Sequence, residues 1–505
     1  MMIRKCGYAL LIGSLALGLT ACGGTKEKKE TEKQATATEV VSSTEEKDPE
    51  NESVVTGSET EQQEDKTEEA ASGAEKSSPD TFLTKNEEGF YEIGSAEDFV
   101  EFARLINAEI PDVIEQSGNN WGYQMSVEEN AILTADIDLT DAFTGENAAL
   151  LPVGGSYVHT SKKDGQVYNI AGSFAGEFDG NGHMISGVHM KSETYGESVG
   201  LFRLGPPEDD KKEVYIHDLT IADSSFSGRN YAGAIAGGLP ARCIIENCTV
   251  AETVTVETPI EKRGELALGA AGGLAGVARQ GYDAVLRGCI SYATVSGATA
   301  GGILGDCISF TSVIGCDNYG AVTGITAGGI VGAHEGDNYY SGLVIGCVNY
   351  GTVTASEGEY ARACGIVGDN RSTIRYCVNA GVVDGKSEDS YAITQKKDGS
   401  IASCGNIGEI RGTSTLSNHL AYSWELGTYE SKTEEEMNAI RGCTGEILMG
   451  QTEVEVTPAK VSDAADGTLL KMLQDIGSEH GYGGWKQGEQ FPVWDGESGL
   501  DKAAQ

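Results

Sequence analysis

A chain of 505 residues with 69 glycines and only 10 prolines is neither collagen-like nor a proline-rich linker; it reads as many short elements joined by tight turns. Acidic residues outnumber Lys and Arg by 77 to 36, a formal charge of −41. Without clustered cations nothing neutralises a phosphate backbone, so nucleic-acid partners are excluded. The excess is not confined to one tail: residues 25–80 carry seven Lys against seventeen Asp or Glu, and most of the remaining acidity falls in 81–505. That gives the folded part a soluble, self-repelling surface.

Arg4 and Lys5 precede an apolar stretch, Ala9 to Leu19, that is too short to span a bilayer as a stable helix and reads as a secretory signal over 1–21. Leu19-Thr20-Ala21-Cys22 resembles a bacterial lipobox, which implies that Cys22 becomes the lipidated first residue of the mature chain. Such a residue carries more than one lipid chain, enough for durable anchoring. Residues 22–80 follow as an acidic tether. From 25 to 80 there is no aromatic residue, too little apolar surface to offset the entropy of ordering. A flexible coil of that length reaches roughly 40 Å, further with its charges. The expected location is the outer side of the cell membrane, anchored by lipid.

Residues 81–132 are expected to form an N-terminal cap. After Phe90 to Gly94, a helical pattern runs from Ser95 to Asn107 with Phe99, Phe102, Ala103 and Ile106 on its apolar stripe. Ser95 is placed to cap it and Asp98 to complete a capping box. Leu133 to Leu139 reads as one alternating strand with Asp136 and Asp138 on the same face, and Asp179 falls in a glycine turn.

The span 133–412 is repetitive. One half of the unit is Ala-Gly-Gly-aliphatic-small-Gly, at 271–276, 300–305 and 327–332, with Ala-Cys-Gly-Ile-Val-Gly at 363–368 and a looser copy at 232–237. The other half is headed by Cys: Cys316, Cys347, Cys377 and Cys404 are each followed two residues later by Asn318, Asn349, Asn379 and Asn406, and four later by Gly. Cys248 and Cys289 head degraded copies. A unit of about 27–31 residues is too short for a propeller blade and lacks the helices or leucine framework of other solenoids. It fits one coil of a parallel β-helix, whose apolar face is buried only by its neighbours. The expected fold is all-β, a right-handed parallel β-helix with a helical N-terminal cap and a small mixed C-terminal cap. Asn318, Asn349, Asn379 and Asn406 are expected to bond from coil to coil as a structural ladder, with Cys289, Cys316, Cys347, Cys377 and Cys404 stacked beside it as buried small hydrophobes. Thiols pointing the same way suit disulfide geometry poorly; if a bridge forms, Cys243 with Cys248 or Cys307 with Cys316 are the nearest pairs.

These Gly-Gly-Leu/Ile-x-Gly units resemble the GLUG-motif repeats of bacterial cell-surface proteins. Phe174 to His183 looks like the first coils of such proteins, and the resemblance covers about 85–412. It implies the architecture more than any activity. Residues 413–505 read as a C-terminal cap and tail, with helical patterns at 430–441 and 467–477 and a closing Trp485 and Phe491-Pro492-Val493-Trp494.

No motif here assembles chemistry. The seven His form no ligand pair, no close Cys pair announces a metal, and Asp-Gly-Asn-Gly at 179–182 lacks the downstream acid of a calcium loop. Neither catalytic residues nor a cofactor are expected. Two readings stand: a non-catalytic, membrane-anchored surface solenoid for adhesion or glycan or protein binding, and an extracellular polysaccharide lyase or glycoside hydrolase on the same scaffold. A cleft lined by at least two carboxylates and an Arg or Lys would favour the second.

Overall fold

The strands are short, from two residues (Asp317–Asn318) to eight (Thr294–Gly301), and recur in register from coil to coil. The computed structural model describes residues 81–108, 124–160, 167–194, 197–263, 266–278, 283–307, 310–334, 342–357, 360–386, 389–396, 399–412, 423–429, 433 and 464–500. The signal segment 1–21, Cys22, the tether to 80 and most of the helical pattern at 430–441 lie outside these residues.

One coil illustrates the rest. Ser312–Ile314 belongs to sheet I, Asp317–Asn318 to sheet II, Val322–Gly328 to sheet III and Val331–His334 to sheet IV. The next coil stacks on it in parallel register, pairing Ser312 with Leu343, Asn318 with Asn349, Val322 with Val353 and Val331 with Val367. Among the described residues, sheets I and II hold ten strands each, sheet III fourteen and sheet IV six. The fold is a parallel β-helix. Sheet I already contains Tyr91–Ile93, and sheets II and III run on to Trp424–Glu425 and Thr428–Tyr429, beyond the 133–412 span expected of the solenoid. Period-two alternation sends Phe178, Ile216, Ile245, Leu286, Val313, Val344, Ile374 and Ile401 of sheet I into the core.

The expected strand 133–139 is broken: Ala131–Leu133 joins sheet I and Ile137–Asp138 joins sheet II. Residues 134–136 turn the corner between the sheets, with the Thr134 amide donating to Ile93 O. Asp136 and Asp138 therefore share no strand face. Asp136 accepts the Met184 amide at 3.0 Å and contacts His183 at 3.2 Å; Asp138 accepts the Thr140 amide at 2.9 Å.

Helix α1 (Ala96–Ala108) lies against the first coils. Ser95 Oγ accepts the Asp98 amide at 3.2 Å, and Asp98 Oδ2 accepts the Gly94 amide at 3.1 Å. Its Phe99 and Phe102 enter an aromatic cluster with Phe174 and Phe178 at ring separations of 6.0–6.2 Å, and Phe178 continues it to Phe202 at 5.0 Å. At the other end, helix α2 (Thr468–His480) and a hairpin of Trp485–Gln487 with Pro492–Trp494 lie across the outer flank of the late coils. Trp485 meets Tyr376 at 5.4 Å and Trp424 at 6.2 Å, and Phe491 meets Tyr350 at 6.2 Å.

Candidate functional site

The repeat residues form two interior stacks. Cys289, Cys316, Cys347, Cys377 and Cys404, with Cys248 before them, sit at the corner from sheet I to sheet II, each just after a residue in the left-handed region, such as Gly315 (φ 58°) or Tyr376 (φ 53°). That turn points the thiol inward, where it donates to two backbone carbonyls, one from the previous coil. For Cys347 these are Ile345 O at 3.4 Å and Val313 O at 3.5 Å. None of the nine described cysteines forms a disulfide. Burial pushes Cys289, Cys316, Cys347 and Cys404 well above the ordinary thiol pKa, which leaves them without thiolate reactivity.

Asn318 Nδ2 donates to Asn349 Oδ1 at 2.9 Å, Asn349 to Asn379 at 2.9 Å, and Asn379 to Asn406 at 2.8 Å. The last amide donates to Glu425 Oε1 at 2.8 Å, so a carboxylate ends the row. The two halves of the repeat meet here. A Cβ at Gly302, Gly329 or Gly365, the second glycine of each Gly-Gly run or its variant, would collide with the side chain of Asn318, Asn349 or Asn379. Cys307, His334 and Asn370 also align over three coils of sheet IV, but all three are buried.

One cluster of chemistry-bearing groups that reach solvent lies on the outer face of sheet I. Register places Asp179, His217, Glu246, Arg287, Ile314 and Ile345 in one column, and Glu177, Tyr215 and Ile244 in the column beside it. Arg287 grips Glu246 with two bonds, Nε to Oε1 at 2.8 Å and Nη2 to Oε2 at 2.9 Å, and Tyr215 donates its hydroxyl to Glu246 at 2.7 Å. Arg287 holds Glu246 below the ordinary carboxylate pKa, against an opposing effect of burial. Tyr215 stacks on the His217 ring at 4.2 Å.

His217 is ringed by carboxylates: Nδ1 lies 2.8 Å from Asp218 Oδ2 and 3.6 Å from Asp179 Oδ1, and Nε2 lies 3.1 Å from Glu177 Oε1. Burial pulls the imidazole pKa down, and Asp218, Asp179 and Glu177 more than offset it, leaving it raised. No second His stands near His217 in the sequence; its partners are carboxylates. Two of its partners come from the preceding coil, 38 and 40 residues back, a separation no local motif reports. The faint signal was the acidic pair Glu177 and Asp179 at alternate strand positions, matched one repeat later by Tyr215 and His217.

Past Arg287 the column is apolar for two coils, at Ile314 and Ile345, where the C-terminal hairpin covers it, and Arg375 follows. Where the apolar stretch begins, Arg287, Gly288, Ile314 and Gly315 face Trp494, Gly496, Glu497 and Leu500 across a recess of about 520 Å³. The Trp494 indole N–H is already bonded to Ser498 O at 2.8 Å, which fixes the ring as a wall.

No protein-family model matches the chain, and no curated protein matches it. Among solved structures it is similar to one described as a candidate immunoglobulin A1 protease from Bacteroides ovatus, with 16% identity, coverage of 82% of this chain and 94% of that chain, and a TM-score of 0.37. No helix among the described residues is long and apolar enough to cross a membrane.

Proposed function

We propose that the chain is a membrane-anchored surface protein of the GLUG-repeat type whose β-helix binds a glycan or a protein without transforming it. The observation that carries this reading is the lining of the recess: one guanidinium (Arg287), one carboxylate (Glu497), an indole wall (Trp494) and apolar Ile314 and Leu500. A few polar groups set in a mainly apolar recess suit recognition of a ring-shaped, hydroxylated ligand. Glycoside hydrolysis needs two carboxylates flanking the bond, and among the described residues this recess offers one. The adjacent Glu246 is committed to Arg287 and Tyr215. The alternative, a lyase or hydrolase, draws on the carboxylates, Tyr215 and Arg287 of the neighbouring cluster.

A glycan array run beside a reducing-end and unsaturated-uronate assay separates the two. Binding that falls at least tenfold in Glu497→Ala and Arg287→Ala, with no new chain ends, is the expected result. Accumulating chain ends would replace this reading with the enzyme. The anchor is tested separately: Cys22→Ala should leave the membrane fraction, and normal membrane retention of that variant would refute lipidation at Cys22.

A further inference from the structure

We propose that Asp179, His217 and Asp218 form a binding site for a divalent transition cation, with Zn2+ the best match to the donors. One imidazole nitrogen and two carboxylate oxygens from these residues lie within 4.8 Å of one another. Tetrahedral coordination with bonds of about 2.0–2.1 Å sets ligand atoms about 3.3 Å apart. The separations from His217 Nδ1, 2.8 Å to Asp218 Oδ2 and 3.6 Å to Asp179 Oδ1, bracket that edge.

The other ring nitrogen supplies the orienting bond such sites use. With Nδ1 on the cation, Nε2–H donates to Glu177 Oε1 at 3.1 Å, which fixes the tautomer and raises the basicity of the ligand nitrogen. Tyr215 stacked on the ring at 4.2 Å, itself tied to Glu246 and Arg287, restrains the imidazole further. Asp179 is steadied by the Asn181 amide, which donates to its Oδ1 at 2.6 Å. Three protein donors leave a fourth position toward solvent, where the Asp218 side chain is 44% exposed. Calcium prefers six to eight oxygens and is poorly served by this set. The cation site neighbours the recess but needs no glycan, so either proposal can fail alone.

The test uses the chelator-stripped full chain dialysed against ZnCl2, with bound metal counted per chain. Wild type should retain one equivalent that His217→Ala and Asp218→Asn lose, both variants keeping the wild-type far-ultraviolet circular dichroism spectrum. Glu177→Ala should weaken binding 10–100-fold while retaining the stoichiometry. A tenfold excess of CaCl2 should not displace the metal. No retained equivalent in wild type, or an equivalent that survives in both folded variants, overturns the site. Should one variant fail to fold, the other decides.

Discussion

Asn349 serves two neighbours at once, donating to Asn379 and accepting from Asn318, all of them buried. Asn349→Ala would leave a donor on Asn318 and an acceptor on Asn379 without their partner, and each buried orphan costs about 1–3 kcal/mol. Cys347 contributes mainly volume beside the ladder, so Cys347→Ala should cost about 1 kcal/mol. Urea titration of the two variants should therefore rank Asn349→Ala as clearly the more damaging; equal losses would mean that the ladder adds nothing beyond packing. The Asn and Cys stacks could be read from the chain because one residue type recurs at one spacing. Glu425 could not, since it ends the row once and repeats nowhere. Asp317 was equally silent. It stands between Ile290 and Val348 in sheet II, and burial pushes its pKa from 3.8 up to about 7. The folded pKa lies above the unfolded one, so this group's contribution to stability is complete below about pH 4 and is lost as pH rises through 7. Asp317→Asn should then raise the melting temperature at pH 8 and leave it nearly unchanged at pH 4. A gain of equal size at both values would show that charge is not the cause.

Elements in this fold are set by their corners. Strands of two to four residues carry too little period-two pattern to be bounded from sequence, which is why 133–139 read as one strand although residues 134–136 turn between sheets. The corner before each Cys is legible where it holds Gly or Asn, as at Asn247, Gly288, Gly315 and Gly346, and obscure where Tyr376 or Ser403 takes the same left-handed turn. Gly346 does more than turn. It has a φ of 67°, and any Cβ there would collide with the Trp494 ring of the C-terminal hairpin. Gly346→Ala should cost about 1–2 kcal/mol for the left-handed backbone and should also lift the hairpin from the flank. Gly315→Ala, in the equivalent turn one coil earlier but no nearer than 3.9 Å to that ring, isolates the backbone effect. Tryptophan fluorescence should shift red in the first variant and stay in place in the second; the same spectrum for both would detach Trp494 from the role assigned to it.

At the scale of the molecule, repetition made the architecture readable and hid the outer face. A repeat reports what every coil needs, namely glycine for close approach and aliphatic side chains for the core. Residues used by one coil, such as His217 or Arg287, appear as scatter until stacking brings 177–179, 215–218, 246 and 287 side by side. The lateral course of α2 and the closing hairpin was likewise unreadable, because apolar periodicity shows that a face is buried and not against what. Stacking also fixes how the chain should come apart. Sheets I and II are continuous from the first coils to the last, and each coil's inward residues contact those above and below, so no boundary within the solenoid separates one core from another. Trypsin should first clear the Lys-bearing segment before residue 81 and leave one resistant product that includes 230–410, despite Arg242, Arg371 and Arg375 in that span. With increasing urea, that product should vanish in a single step that coincides with the loss of circular dichroism. Several stable fragments cut within 230–410, or separate transitions for the early and late coils, would show that the stack is divided into independently folding blocks.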